Sequence, residues 1–349
     1  MFASLTQSKT RTIGVDIGRR AVRLVQHDGS ASTAAAQAPI RGEHRCRDEA
    51  FVEAAVDAVK RALDAGTFVG RAAAVALPTS VLKFTSVRMP EMPEAEMAEA
   101  IKWESDGSTE PGVETIRQYV KLGQVRQGEE ARQEVLMMTA DRRWIESFVD
   151  GLDGLGLDLD RLDFSGNGLL NVVPVGDEPR LVIDFGADST RAMIVERGVL
   201  RFYKVIGAGQ NDFDRLVAER LRVPLGDAAE ARRQADGDAA ASRGVQEAIR
   251  TPTEELAREL SLCIRYFGVS FRGARPEQGL AVGGGATFPQ LLDELGRASG
   301  VTLEALDPFD TAGLDAVSVE QPWAWSTAVG LAHHGPVRHV KPDAQREAA

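Results

Sequence analysis

The sequence predicts an α/β protein of two lobes, with a small α/β subdomain inserted in the first lobe. Its 349 residues exceed what a single small hydrophobic core usually supports, which favours two lobes. The same strand, Asp-x-Gly turn and strand recur about half a chain apart, around Asp16 and Asp184. Between these copies, residues 79–139 combine extended segments with one helix and interrupt the first lobe. An internal duplication with one insertion accounts for these observations.

Composition and charge exclude several classes of protein. Hydrophobic residues make up 43% of the chain and charged residues 27%, which is too apolar for a disordered protein. The net charge of −11 makes the chain a poor candidate for dedicated nucleic-acid binding, which depends on neutralising phosphates. Its two cysteines, Cys46 and Cys263, form no disulfide framework, and its five histidines have no zinc-ligand spacing.

The location of the protein is predicted from its lack of long apolar segments. No stretch approaches the roughly 18–20 apolar residues that are needed to cross a bilayer. The segment Met1–Thr12 is polar and lacks the apolar core of a signal peptide. We therefore expect a cytoplasmic protein that contacts a membrane only through a partner.

The core of the first lobe is predicted to include residues 12–78 and 140–178. Alternating apolar residues over Thr12–Gln26, interrupted at Gly18, predict a hairpin of two strands. The inserted subdomain spans residues 79–139. There, Phe84–Met89 alternates as a strand, and Pro93 opens a helix with acidic residues in its first turn.

The second lobe is predicted over residues 179–325. Leu181–Ile194 repeats the strand, turn and strand of the first lobe. Apolar residues at helical spacing predict a helix over Pro252–Phe267, and Gly279–Val282 is a short buried strand. Residues 341–349 are expected to form a flexible tail.

The repeated Asp-x-Gly turn has a specific chemical interpretation. Gly18 and Gly186 let the backbone turn tightly and bring its N–H groups close to an anion. Asp16 and Asp184 end their strands where they could hold a hydrated Mg²⁺. One such turn is most often only a hairpin. Two copies that face each other across a cleft would clamp a polyphosphate from both lobes.

A run of three glycines, Gly283, Gly284 and Gly285, follows the buried strand of the second lobe. Only glycine lets a flat base and ribose lie directly against the backbone. The alternative is a flexible connection between a strand and a helix. We favour the nucleoside site, because three consecutive glycines without a ligand would cost conformational entropy for no gain.

The order of these motifs resembles that of the actin-like ATPase superfamily. The two phosphate loops of the superfamily would correspond to Asp16–Arg23 and Asp184–Thr190, and its adenosine loop to Gly283–Ala286. The two connecting helices would correspond to Leu162–Asn171 and Ser326–Leu331. The resemblance implies an actin-like two-lobe ATPase fold that binds ATP and Mg²⁺, in which residues 326–340 return to the core of the first lobe. Within the superfamily, the chain is most similar to the PilM family of type IV pilus assembly. The segments that carry this similarity are Arg88–Glu96, Ile101–Glu104, Val182–Thr190, Ala229–Arg233, Leu260–Phe267 and Ala328–Ala332.

The resemblance also implies a set of site residues. Asp16 and Asp184 would face Mg²⁺. The residues that would surround the nucleotide are Gly18, Arg19 and Arg23 in the first phosphate loop, Gly186, Ser189 and Thr190 in the second, Glu230 and Arg233 near the ribose or adenine, and Gly283, Gly284 and Gly285 at the nucleoside. The chain departs from the family at Arg19 and Arg20, where small hydroxyl residues are usual. These guanidinium groups could hold a phosphate, fill the pocket or point to solvent.

Catalysis has weaker support. Asp163 and Asn167, on the first connecting helix, are the candidates for positioning an attacking water. The alternative, which we favour, is that Asp163 only caps the helix. We therefore expect at most a weak ATPase, in which the nucleotide acts mainly as a structural ligand.

The resemblance implies that the chain binds the cytoplasmic N-terminal peptide of a PilN-like inner-membrane protein. The peptide is expected near Phe84, Met89, Met97, Ile101 and Trp103, although the methionines could equally be core residues. Self-association stays open. Other candidate functions are a small-molecule kinase, a filament-forming protein like FtsA, and a relative of the secretion protein GspL. The kinase would need a substrate pocket and a catalytic aspartate, for which the sequence has no signature.

Overall fold

The computed structural model describes most of the chain, namely residues 12–27, 33–42, 44–106, 113–127, 130–235, 240–271, 274–314 and 319–333. The tail predicted over 341–349 lies outside the described residues. Among the described residues, no helix combines the length and apolar character that a membrane span requires.

The chain begins with a hairpin that forms part of the first sheet. The elements of this part are β1 (Ile13–Ile17), β2 (Ala21–His27), β3 (Thr33–Pro39), α1 (Glu49–Ala65) and β4 (Ala72–Leu77). β2 is antiparallel to both β1 and β3, while β4 is parallel to β1. Helix α1 buries Phe51, Val52 and Val59 against this sheet, as its predicted apolar spacing requires.

The inserted subdomain is an antiparallel sheet covered by one helix. Its elements are β5 (Lys83–Met89), α2 (Glu94–Asp106), β6 (Thr115–Gln127) and β7 (Glu130–Asp141), with β7 in the centre of the sheet. Met97 and Ile101 of α2 pack on Met89, Val135 and Met137 from one face of the sheet. The other face carries Leu136 and Met138, because successive residues of a strand point to opposite sides.

The chain then returns to the first lobe through α3 (Arg142–Asp153), β8 (Asp158–Phe164) and α4 (Ser165–Leu170). The first connecting helix was predicted from Leu162, but Leu162–Phe164 belongs to β8. These residues pair in parallel with Val75–Leu77 of β4, so the helix begins only at Ser165. The first sheet therefore has the order β3-β2-β1-β4-β8.

The second lobe repeats this sheet. Its elements are β9 (Arg180–Phe185), β10 (Thr190–Glu196), β11 (Val199–Ile206), α5 (Gln210–Leu221), α6 (Leu225–Arg233), α7 (Ala240–Phe271), β12 (Gln278–Val282), α8 (Pro289–Ser299), β13 (Thr302–Ala305), α9 (Pro308–Thr311) and α10 (Ser326–Ala332). The strand order is β11-β10-β9-β12-β13, with two antiparallel pairs followed by two parallel pairs. This is the arrangement of the first sheet, and the predicted internal duplication and actin-like fold are confirmed.

Helix α7 is longer than its sequence pattern predicted. It does not start at Pro252 but passes through this residue from Ala240 to Phe271. Val245, Ile249 and Leu256 are all buried in the core of the second lobe. Packing on both sides of Pro252 thus outweighs the local cost of a proline inside a helix.

Helix α10 joins the two lobes at their base. A Cβ on Gly14 would collide with the carbonyl of Ala328, and one on Gly330 would collide with the carbonyl of Gly168. Glycine at these positions lets α10 lie directly against β1 and α4. The buried cluster around α10 includes Phe164 from the first lobe and Val182 and Met193 from the second. The lobes therefore share a hydrophobic core below the cleft.

Candidate functional site

The two Asp-x-Gly turns line one cavity between the lobes. In the first hairpin the Gly18 amide donates to the Ala21 carbonyl at 3.0 Å, and in the second the Gly186 amide donates to the Ser189 carbonyl at 3.0 Å. Both turns border a cavity of about 200 Å³. Asp16, at the end of β1, and Asp184, near the end of β9, both line it. The matched acidic hairpins thus meet at a shared crevice.

Most of the residues implied by the resemblance reach this cavity. Those that line it are Asp16, Gly18, Arg19, Arg20, Arg23, Asp184, Gly186, Ser189, Arg233, Gly283 and Gly284. Further polar lining residues, which the sequence analysis did not propose, are Thr79, Ser80, Ser165, Asp188, Arg191, Gln210, Gln321, Ser326 and Thr327. Three other proposed residues, Thr190, Glu230 and Gly285, do not line it.

Thr190 and Glu230 do not face the cavity but support the elements that form its walls. The Thr190 hydroxyl is buried and donates to the Ala208 carbonyl at 2.7 Å, which fixes the approach to α5. The Glu230 carboxylate is on the surface of α6, where it forms an ion pair with Arg233. That hydrogen-bonded pair holds the pKa of Glu230 below its usual range. Glu230 therefore positions Arg233, the residue of α6 that reaches the cavity.

Two of the three glycines that follow β12 are required by close packing against β9. Gly283 has a φ of +78°, and a Cβ there would lie 2.5 Å from Asp184 Oδ1 and 2.5 Å from the Phe185 carbonyl oxygen. A Cβ on Gly285 would lie 2.6 Å from the Phe185 Cβ. Gly283 and Gly284 face the cavity, whereas Gly285 packs on Phe185 behind it. A nucleoside in the cavity could therefore contact Gly283 and Gly284 but not Gly285.

Asp16 and Asp184 each have an arginine directly opposite them in their own hairpin. Asp16 pairs with Arg23 across β1 and β2, and Asp184 pairs with Arg191 across β9 and β10. The Arg191 Nε lies 2.9 Å from Asp184 Oδ2 and its Nη2 contacts the same oxygen. Sequence analysis missed Arg191. The signal that could have found it is an arginine at the same spacing after Asp184 as Arg23 has after Asp16.

Burial and neighbouring charges shift the pKa values of this group. Burial raises the pKa of Asp16 to about 6, and the negative charge of Asp184 adds to the increase while Arg23 opposes it. Burial also lowers the pKa of Arg23, against the attraction of Asp16 and Asp184. The four side chains are therefore electrostatically coupled.

Arg19 and Arg20 bridge the two lobes. Arg20 Nη2 lies 2.7 Å from Asp214 Oδ2, and its Nε donates to Asn211 Oδ1 at 2.8 Å, both on α5. Arg19 Nε lies 3.1 Å from Asp188 Oδ2 in the second turn. The structure therefore has both arginines at the cavity wall, where each forms an ion pair with an aspartate of the second lobe.

Charge and size define what the cavity can accept. Five arginines and three aspartates line it, which leaves a net charge of +2 in a protein whose overall charge is −11. Such a site suits an anion. Its volume of about 200 Å³ is below the roughly 300 Å³ at which ligand pockets begin.

The residues present do not fit a magnesium ion well. Mg²⁺ takes an octahedral set of oxygen ligands, usually waters and phosphates with one or two free carboxylates. Here Asp184 Oδ2 is taken up by Arg191, and Arg23 lies opposite Asp16. In the part of the chain that the structure describes, no group of three or more His, Cys, Asp or Glu residues could hold a metal. The arginines beside Asp16 and Asp184 therefore disagree with the magnesium role that was expected of these two residues.

The two catalytic candidates lie outside the cavity. Asp163 Oδ2 accepts from Asn167 Nδ2 at 2.7 Å, and Asp163 Oδ1 accepts from the Phe164 amide at 2.9 Å. Both residues line a separate groove. Neither the catalytic nor the helix-cap interpretation of Asp163 fits, because this residue lies at the end of β8 and braces Asn167 instead of facing the phosphate turns.

The groove is an apolar space of about 790 Å³ between the core of the first lobe and the inserted subdomain. Its apolar lining includes Leu82, Ile116, Val120, Met138, Ile145, Leu162 and Leu170, and its charged rim includes Glu94, Lys121, Arg161 and Asp163. Helix α4 forms part of both spaces, because Ser165 and Leu169 face the cavity while Asn167 and Leu170 face the groove.

None of the residues expected to contact a partner peptide lines this groove. Met89, Met97 and Ile101 are 7%, 1% and 3% exposed and form the core under α2, on the opposite face of the sheet. Phe84 packs on Phe164 and Tyr203. Trp103 is 79% exposed on α2. These five residues do not form one surface, because the two faces of the inserted sheet separate them.

Comparison with known proteins agrees with this fold. A solved PilM–PilN type IV pilus biogenesis complex is similar over 92% of this chain and 97% of that one, with 25% identity and a TM-score of 0.75. The ethanolamine utilization protein EutJ from Carboxydothermus hydrogenoformans is similar over 93% of this chain and 89% of that one, with 16% identity and a TM-score of 0.54. At this identity the likeness shows the fold alone. None of the curated proteins matches the chain. The model of the family described as type IV pilus assembly protein PilM matches residues 14–334, and the chain therefore belongs to this family.

Proposed function

We propose that the protein binds ATP in the cavity between its lobes and serves as an actin-like scaffold in the assembly of a type IV pilus or a related envelope machine. The observation that carries the nucleotide site is the pair of matching turns, Gly18–Ala21 and Gly186–Ser189, at one cavity with a net positive charge. Backbone amides at tight turns and guanidinium groups are the usual ligands of phosphate.

We propose that the phosphates and the nucleoside of ATP lie at different ends of the cavity. The phosphates would lie between the two turns, near Arg19, Arg20 and Arg23. The nucleoside would lie along Gly283 and Gly284, with Arg233 of α6 beside it. Because Asp163 and Asn167 face the groove, we propose that the nucleotide holds the lobes together as a ligand and is hydrolysed slowly or not at all.

The groove is the proposed site of the partner. The solved relative is a complex of PilM with PilN, and we propose that this chain binds the N-terminal cytoplasmic peptide of a PilN-like membrane protein. An extended peptide with apolar anchors fits a long apolar groove that has charges at its edge. Through this partner the protein would be held at the inner membrane.

A titration of ATP tests the nucleotide site. Wild-type protein is compared with Arg233→Ala, which removes a cavity residue, and with Arg215→Ala on the exposed side of α5 as the matched control. We expect Arg233→Ala to weaken ATP binding about tenfold, which corresponds to about 1.4 kcal/mol, and Arg215→Ala to leave it unchanged. Wild-type protein that binds no ATP would overturn the proposal.

A peptide-binding experiment tests the groove. A fluorescent peptide that corresponds to the N-terminus of the PilN-like protein is titrated with wild type, Leu162→Glu and Trp103→Ala. Leu162 lines the groove, whereas Trp103 is exposed on α2, away from it. We expect loss of binding with Leu162→Glu and wild-type affinity with Trp103→Ala. The reverse result would move the partner to the surface of α2.

A further inference from the structure

Both hairpins carry the same pair of opposite charges in the same place. We infer that the site binds its nucleotide without a divalent cation, with Arg23 and Arg191 in the place that a metal would otherwise take. The inference rests on the proposed nucleotide site and adds the chemical form of its ligand, which is the metal-free polyphosphate. It also departs from the magnesium binding that the actin-like fold implies.

The first argument is the duplication itself. Residues Val15–Arg23 and Ile183–Arg191 both follow the pattern apolar residue, Asp, apolar residue, Gly, four residues, Arg. In each hairpin the arginine is directly opposite the aspartate in the strand register. Residues that are directly opposite on neighbouring strands share a face and interact. Asp16 and Asp184 thus each have a cation that is supplied by their own hairpin.

The second argument is the position of Arg191. Its guanidinium donates to Asp184 Oδ2 through Nε at 2.9 Å and through Nη2. Its Nη1 lies so close to Gly186 that a Cβ on this glycine would collide with it. The guanidinium therefore lies at the second phosphate turn, with its charge beside the turn amides. Its side chain is 15% exposed, so the charge is well shielded from solvent.

The third argument is that Arg23 keeps donors for a ligand. Its Nε is buried and makes no hydrogen bond to any residue that the structure describes. Its guanidinium lies over the Trp325 ring, 5.9 Å from the centroid, and borders the cavity. A guanidinium held in this way can bind phosphate oxygens in a bidentate manner. Arg23 and Arg191 would then contact the polyphosphate from opposite lobes.

The charge of the cavity supports the same conclusion. Arg23 and Arg191 balance Asp16 and Asp184, so these four groups leave no net negative charge that would attract a metal ion. The other charged lining residues are Arg19, Arg20, Arg233 and Asp188, and they supply the net positive charge. This set attracts a polyphosphate and repels an additional cation.

Calorimetric titrations of ATP and ADP into the full chain, with EDTA in one series and Mg²⁺ in the other, test the inference. We expect dissociation constants that agree within about threefold between the two series. ATP that binds at least about tenfold more tightly with Mg²⁺ would overturn the inference and leave the nucleotide site intact. Absence of binding in both series would overturn the proposed nucleotide site and the inference together.

Substitution of the arginines gives a second, independent test. Arg191→Gln and Arg23→Gln each leave an aspartate without its cation, so we expect ATP binding in EDTA to fall about tenfold and to recover in part with Mg²⁺. Arg191→Lys keeps the charge and should retain metal-free binding. Arg215→Gln, on the exposed side of α5, is the matched control. Thermal unfolding identifies any variant that does not fold, and the two arginines can be tested separately. Wild-type affinity of both glutamine variants in EDTA would overturn the inference.

Discussion

Arg20 of the first hairpin turn forms an ion pair with Asp214 of α5 in the second lobe, with 2.7 Å between Nη2 and Oδ2. Asp214 is fully buried and also pairs with Arg232, whose Nε lies 2.7 Å from Oδ1. The cleft is therefore held closed by protein side chains. A phosphate that enters must compete with Asp214 for Arg20, so a bound nucleotide would replace this ion pair as the link between the lobes.

Removal of this ion pair should loosen the cleft without unfolding the protein. In Arg20→Ala, Asp214 keeps Arg232, and Arg20 itself is 43% exposed, so we expect the free energy of unfolding to fall by less than about 1 kcal/mol. Small-angle X-ray scattering of the ligand-free protein should show a larger radius of gyration for Arg20→Ala than for wild type, and ATP should remove the difference. Arg215→Ala is the control. Equal radii in all three proteins would show that the ion pair between Arg20 and Asp214 does not hold the cleft closed.

The raised pKa of Asp16 predicts a pH dependence of stability. Because this pKa is about 6 in the folded protein, against an ordinary value of 3.8, the folded protein binds more protons than the unfolded chain between these values. This contribution to stability is present at low pH and is lost as pH rises through about 6. The difference in the free energy of unfolding between Asp16→Asn and wild type, measured in urea, should therefore shift in favour of Asp16→Asn by about 1 kcal/mol from about pH 5 to about pH 7.5. A difference that does not vary with pH would show that Asp16 titrates normally.

The methionine-rich side of the inserted subdomain should behave as core. Met97 is 1% exposed under α2, so Met97→Ala should lower the free energy of unfolding by about 2–4 kcal/mol. Trp103 is 79% exposed on the same helix, and Trp103→Ala should change it by less than about 0.5 kcal/mol. Urea unfolding of the two variants measures this contrast. Similar effects of both substitutions would mean that α2 does not pack as described.

Gly283 should not tolerate a side chain. Its φ of +78° is strained for alanine, and a Cβ would press on Asp184 Oδ1 and on the Phe185 carbonyl. Gly283→Ala should lower the free energy of unfolding by more than about 1 kcal/mol and weaken ATP binding. Gly207 has no atom within 4 Å of its Cβ position, so Gly207→Ala is the control that should stay close to wild type. Thermal unfolding and ATP titration of both variants provide the comparison.

The duplication could be predicted from the sequence because each copy is local. An apolar strand, an aspartate and a glycine lie within a few residues of each other in both hairpins, and the strand period places them together. Arg191 belongs to the same local pattern, and comparing the spacing after each aspartate would have identified it. The cross-lobe pair of Arg20 and Asp214 could not be predicted, since it depends on how closely the lobes approach.

The position of the groove also depends on tertiary packing. The alternation in β7 separates Met137 from Met138, but it does not say which face meets α2 and which meets the first lobe. The location of Asp163 is likewise a tertiary property. Pairing of β8 with β4 places Leu162, Asp163 and Phe164 in the sheet, and all three residues line the groove.

Hydrogen exchange of the backbone amides with and without saturating ATP tests the central claim most directly, because it reports both lobes in one experiment. We predict that ATP protects segments 18–21 and 186–189 together, along with 283–285. Protection of only one of the two turns, or protection confined to other parts of the chain when ATP is bound, would contradict a single nucleotide site between matched hairpins.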